Sequence, residues 1–288
     1  MKNWHVSRGI GAAASVSLAA VTVAFAGPGC VESSVHEHEA PSHIAEASSR
    51  SASAAPRWSY EGAEGTSHWG SLAPEFSACG SGKQQSPVGL VHGDVTVDAK
   101  LSPLQFDYPA APVRLVHDGH TVNVFSPAVS ELTTPSGRYE LVQFHFHVPS
   151  EHTLDGKHFD AEMHLVHKNA HGDRVVVGIF LSAGAQENPA LRAVFENAPK
   201  DPEKEASSGV PVDLAHVVSG SAAGGDSYFT YAGSLTVPPC SEGITWYVLN
   251  TPRSIGQSQL EHLHAALHGD TNRPLQLLDG RTVRRSAL

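Results

Sequence analysis

Gln143-Phe144-His145-Phe146-His147 sets two imidazoles two residues apart, each directly behind a phenylalanine. On a helix, residues i and i+2 face different ways, so this order would serve neither pair. On a strand, side chains alternate between faces. Gln143, His145 and His147 then share one side, and the two phenylalanines share the other. The phenylalanine face belongs in a core. The opposite face carries two nitrogen donors close enough to hold one ion.

A second run repeats the pattern. In Asp160-Ala161-Glu162-Met163-His164-Leu165-Val166-His167-Lys168, extended geometry sends Glu162, His164 and Val166 one way and Met163, Leu165 and His167 the other. The intervening loop, residues 148–159, suits two neighbouring antiparallel strands, which would bring His164 onto the face of His145 and His147. Three imidazoles on a rigid face match a catalytic zinc site with a fourth position for water. Zinc suits neutral imidazole better than calcium or magnesium does. Gln143 and Glu162 each sit two residues before a histidine, where they can accept its outer N–H and fix the ring. His152, His158, His167 and His171 read as ordinary polar or partly buried residues. A rival reading takes His145-x-His147-x-x-x-Glu151 as similar to the first metal motif of cupins, with Glu151 itself a ligand. That pattern wants glycine seven residues after the glutamate, where this chain has His158, and the chain is long for one cupin barrel.

Further β-branched and aromatic runs occupy residues 121–126, 139–148, 174–181 and 242–250, separated by Asp-Gly and His-Gly turns. Helical spacing appears at 189–198 and 258–267. The predicted fold is mainly β, with short helices at its periphery. The chain has 288 residues, enough for one large domain or at most two. Its net charge of −10 argues against nucleic acid and anionic membrane surfaces as partners.

The first thirty residues read as a leader. Lys2, His5 and Arg8 form a basic start, residues 10–26 are small and apolar, and Ala24-Phe25-Ala26 is an A-x-A cleavage pattern. Cleavage after Ala26, lipidation at Cys30 and an uncleaved anchor all remain open. Each places the folded part outside the cytoplasm, periplasmic or extracellular. Residues 31–57 are rich in Ser, Ala, Glu and His and read as a disordered linker. The folded domain is predicted over 58–288. In an oxidising compartment Cys79 and Cys240 can pair, and closing so long a loop would stabilise by about 2–4 kcal/mol.

Taken together, QFHFH, SEHT (150–153), AEMHLVH (161–167), GIFL (178–181), YAGSLTVPPC (231–240) and ITWYVL (244–249) resemble the α-class carbonic anhydrases of the bacterial, secreted type. HWG (68–70), QSPV (85–88), GHTVNV (119–124) and NRPLQ (272–276) extend the resemblance over about 58–285. It implies one large twisted, mostly antiparallel sheet of about ten strands. It also implies a zinc lyase that interconverts carbon dioxide and bicarbonate by attack of zinc-bound hydroxide, and sensitivity to sulfonamide and anion inhibitors. By resemblance His145, His147 and His164 hold zinc, and Thr236 passes a hydrogen bond to Glu151. Val166, Val176, Leu235, Val237 and Trp246 line the substrate pocket, and His120 shuttles the proton. Cys79 and Cys240 fall where secreted members carry their disulfide. Monomer and homodimer both remain open, and the lipid anchor would be the sole membrane contact. Three departures stand out. Ser71 follows HWG where the family commonly has Tyr, Val237 replaces a frequent hydroxyl residue, and Lys168 replaces an aromatic common in animal members. A non-enzymatic binding module on this scaffold is the competing reading, and the intact ligand set argues against it.

Overall fold

Strands are the predominant regular structure in the computed structural model, which describes residues 56–219 and 226–287. The leader, Cys30 and the linker as far as residue 55 lie outside the described residues. Ten strands form a continuous path: β1 (Thr96–Asp98), β2 (Ala111–His117), β3 (Val122–Phe125), β4 (Gly137–His147), β5 (Ala161–Lys168), β6 (Arg174–Gly184), β7 (Glu205–Val212), β8 (Tyr228–Ser234), β9 (Glu242–Leu249) and β10 (Arg284–Ser286). Their order across the sheet is β7-β2-β3-β4-β5-β6-β9-β8-β10-β1. Gln105–Asp107, Glu131–Thr134 and Arg253–Gly256 add short strands beside this path, giving a 13-stranded sheet. Most seams are antiparallel. Those of β6 with β9, β6 with Arg253–Gly256, and β10 with β1 are parallel.

The face carrying Phe144 and Phe146 is closed. Both rings are buried with Met163, Leu165, Val175, Val177 and Ile179. Three helices belong to this layer: α1 (Arg192–Asn197), α2 (Leu214–Ser219) and α3 (Gln257–Leu267). They contribute Phe195, Val217, Leu260 and Leu263 to the same core. Phe146 meets Phe195 at 5.2 Å between ring centres. Truncating such a ring to alanine costs about 3–5 kcal/mol. A second core on the opposite face contains Val176, Phe180, Phe229, Tyr231, Trp246 and Val248. Among the described residues no helix is long and apolar enough to cross a membrane.

One irregularity in β4 decides which residues reach the site. Leu141 is opposite His167, yet Gln143 is opposite Val166, so Val142 is an extra residue, a β-bulge. Upstream of it Tyr139 and Leu141 contribute to the core; downstream Phe144 and Phe146 do. The bulge thus moves odd-numbered residues from the core face to the opposite one, where Gln143, His145 and His147 stand. Val142 itself is 48% exposed.

Candidate metal centre

His145 and His164 are direct cross-strand partners on β4 and β5, and His147 faces Glu162 one rung further on. Each histidine commits its outer nitrogen. His145 Nδ1–H donates to Gln143 Oε1 (2.9 Å), His147 Nδ1–H to the Thr271 carbonyl (2.6 Å) and His164 Nε2–H to Glu162 Oε1 (2.9 Å). The inner nitrogens, Nε2 of His145 and His147 and Nδ1 of His164, are thereby left as lone pairs. The three rings offer ligand atoms within 4.8 Å of one another. His147 Nε2 is buried and has no hydrogen-bond partner.

Electrostatics keep the set neutral. Burial lowers the pKa of all three histidines, that of His147 to about 4, and mutual repulsion with His147 and His164 lowers His145 further. Three neutral imidazoles with oriented outer N–H groups and a stranded inner lone pair suit zinc. His152, Glu162 and His164 form a second close group. Its polar atoms are already spent on one another through 2.7 and 2.9 Å hydrogen bonds.

Glu162 is fully buried, and its burial favours the neutral form. The facing His152 and His164 and their hydrogen bonds outweigh that and hold it well below the usual carboxylate range. Gly178 lies opposite His164, and a Cβ there would stand 2.8 Å from Glu162 Oε1, so only glycine leaves the carboxylate room. From Glu162 the hydrogen bonds continue through His152 to the Tyr231 hydroxyl (2.7 Å), and from Tyr231 to Ser86 Oγ (2.9 Å). Ser86 Oγ in turn accepts the N–H of Ser234, just before the Leu235-Thr236 turn. His152 is therefore no ordinary polar histidine. It is fully buried, and it is the link between a ring-orienting carboxylate and that turn. His167 also departs from the sequence reading: it is completely buried on the core side, 2.6 Å from the Tyr108 hydroxyl. His158 and His171 are exposed, as expected.

Glu151 brings a buried carboxyl beside the imidazoles. Its Oε2 lies 3.6 Å from His147 Nε2 and 3.9 Å from His164 Nδ1, and Oε1 accepts the Arg273 N–H at 2.9 Å. Burial raises its pKa to about 7; His164, the Arg273 N–H and the Thr236 hydroxyl pull the other way. The Arg273 guanidinium extends to Gln85, to the Ser86 carbonyl and to the Cys79 carbonyl. Cys79 and Cys240 form a disulfide, 5.0 Å between Cα atoms, that ties down the segment after Thr236.

The histidines sit in a cavity of about 440 Å³ whose lining includes Val166, Val176, Leu235, Thr236, Val237 and Trp246. The Trp246 indole N–H is held by the Ser234 carbonyl (3.0 Å), and its ring meets His164 edge-on at 4.8 Å. His120 also reaches the cavity, stacked on Trp58 at 3.6 Å between ring centres. Burial lowers the His120 pKa, with Asp118 opposing.

The position after HWG does not reach the cavity. Ser71 is exposed, hydrogen-bonded to the His68 carbonyl, and absent from the cavity lining. The tyrosine of the cavity is Tyr60, whose hydroxyl is buried without a hydrogen-bond partner and whose pKa burial raises. Neither Trp58 nor Tyr60 belongs to the motifs that carry the resemblance, HWG included. The aromatic pair in Trp58-Ser59-Tyr60, opening the domain, was the available signal.

A family model described as eukaryotic-type carbonic anhydrase matches residues 64–287. A carbonic anhydrase of Klebsiella pneumoniae is 40% identical over 231 residues, covering 80% of this chain and 91% of that protein. One of Pectobacterium atrosepticum is 37% identical, covering 82% and 93%. The chain belongs to the α-carbonic anhydrases. Among solved α-carbonic anhydrases, that of Thermovibrio ammonificans, complexed with the inhibitor sulfanilamide, superposes with a TM-score of 0.74 at 36% identity. The match covers 80% of this chain and 99% of that one. Membership in this family of enzymes excludes the cupin reading, whose barrel has no counterpart in the 13-stranded sheet.

Proposed function

We propose that this α-carbonic anhydrase hydrates carbon dioxide reversibly to bicarbonate and a proton, with zinc held by His145, His147 and His164. The observation that carries the proposal is the convergence of three unprotonated inner nitrogens, one of them buried and unpartnered, on the floor of a largely apolar cavity. Bound there, zinc supplies a nucleophilic oxygen from water at neutral pH.

The chain's own groups do the rest. Gln143, Glu162 and the Thr271 carbonyl hold the three rings in the tautomer that presents a lone pair inward. Thr236 donates its hydroxyl proton to Glu151, which leaves the Thr236 oxygen free to accept one from the reacting water and so to orient it. Burial raises the Glu151 pKa, and a cation held between the imidazoles would oppose that and favour the ionised acceptor this role needs. Val166, Val176, Leu235, Val237 and Trp246 form a dry wall suited to uncharged carbon dioxide. His120, lowered by burial and therefore neutral near pH 7, takes the released proton outward. The Tyr60 hydroxyl, facing the same cavity, orders the water between. The catalytic unit spans 58–288 behind an export leader (1–30) and a linker (31–57). The Cys79–Cys240 disulfide supports an oxidising location, periplasmic or extracellular. Sulfonamides should compete with substrate, as the sulfanilamide complex of the Thermovibrio relative suggests by analogy.

Stopped-flow hydration of carbon dioxide tests this directly. Zinc-loaded protein should accelerate the reaction above buffer, and a chelator or a sulfonamide should abolish the acceleration. No such activity overturns the proposal. His164→Ala should lose zinc, whereas His120→Ala should keep it and turn over slowly in weak buffer. Full zinc occupancy in His164→Ala overturns the ligand assignment.

A further inference from the structure

Beyond the histidines, β5 and β6 continue to the cavity mouth. Along β5, His164, Val166 and Lys168 share a face; along β6, Gly178, Val176 and Arg174 share it. The register pairs them rung by rung: His164 with Gly178, Val166 with Val176, Lys168 with Arg174. The first rung carries a metal ligand, the second the apolar wall, and the third two cations side by side. Both cations line the cavity and both are exposed. Neither takes part in an ion pair among the described residues. Glu140 lies opposite Lys168 on β4, yet it makes no ion pair with it and does not line the cavity. In a chain with a net charge of −10, the cavity lining carries these two cations against one carboxylate, Asp118.

The pair also lies apart from the proton route. Sheet order runs β2-β3-β4-β5-β6. Asp118 and His120 come from the turn between β2 and β3, on one side of the histidines; Arg174 stands on β6, on the other, and Lys168 lies beyond His164 along β5 itself. Four residues of strand separate His164 from Lys168, roughly 13 Å along β5.

We propose that Lys168 and Arg174 form an anion subsite at the cavity mouth. It takes the distal carboxylate or sulfonate of an elongated organic ligand whose head reaches the histidines. Arginine presents a planar fork that can hold a carboxylate by two bonds, and lysine adds a point charge beside it. The subsite rests on the metal-centre reading above. Because both cations are exposed, its selectivity is modest and screened by salt.

Calorimetry on zinc-loaded protein decides it with two matched probes: a succinyl-extended arylsulfonamide ending in a carboxylate, and its carboxamide twin. The carboxylate should bind roughly three- to tenfold tighter than the twin at low salt. That preference should vanish at high salt and in Lys168→Gln/Arg174→Gln, while the twin binds the double variant as it binds the parent. Equal affinities for the two probes, or a preference surviving in the double variant, overturn the subsite alone. If the carboxamide twin fails to bind the parent at all, the metal-centre reading falls and the subsite falls with it.

Discussion

His167 should make the fold acid-sensitive by a calculable amount. It is buried on the core side, and burial lowers its pKa to about 3, with the neighbouring backbone of Leu165 and Val175 opposing. In the unfolded chain a histidine titrates near 6.5. The stabilising contribution is therefore fully present above about pH 6.5. It is lost as pH falls, because the unfolded state binds a proton the folded state refuses, and the loss is complete near pH 3. The full shift, about 3.5 units, corresponds to about 5 kcal/mol; between pH 7.5 and 5.0 the loss is about 2 kcal/mol. His167→Gln leaves a polar partner for the Tyr108 hydroxyl and removes the titration. Urea unfolding of both proteins from pH 7.5 to 5.0 isolates the effect, because the other histidines are common to both. The parent is the more stable at pH 7.5, and its advantage should shrink by about 2 kcal/mol by pH 5.0. A gap constant to within about 0.5 kcal/mol would refute the argument, showing that water or a local opening admits the proton.

Two further outcomes follow from the geometry. Gly178→Ala should force the Glu162 carboxylate away from His164 and weaken zinc binding by roughly 10–100-fold, read as faster metal loss to a chelator; an unchanged rate would show that the pocket yields elsewhere. Replacing both Cys79 and Cys240 by alanine frees a loop of 161 residues, for which chain entropy alone gives about 5 kcal/mol and measured cases more often 2–4 kcal/mol. The melting temperature should then fall by roughly 6–15 °C in calorimetry, and a fall under about 2 °C would sink the loop-entropy account.

The parts of the site that could be read from sequence are those set by strand periodicity. Gln143 and Glu162 each lie two residues before a histidine, and that spacing alone puts them on its face. What escaped depends on distant pairings that leave no local pattern. His152 sits in a loop with no period, and its burial arises from Glu162 and from Tyr231, 79 residues away. Arg273 supports Glu151 with a backbone N–H, a group every non-proline residue carries, so its identity says nothing of that contact. Tyr60 belongs to the cavity because the opening segment folds across its mouth, whereas matching by motif pointed to Ser71. The parallel seam of β6 with β9 is equally silent in the sequence, since both strands are buried on two faces and neither alternates.

The extra residue at Val142 gives β4 something like a reading frame. Core residues upstream and cavity-facing residues downstream occupy the same parity of sequence position, and a single inserted residue reconciles them. Deleting Val142 would put either Tyr139 and Leu141 or Gln143, His145 and His147 on the wrong side of the sheet. An exposed valine at a cavity rim is a position where a change of residue type should be tolerated easily. A change of length there is another matter, because its error would be transmitted along the strand to every histidine β4 presents to the cavity.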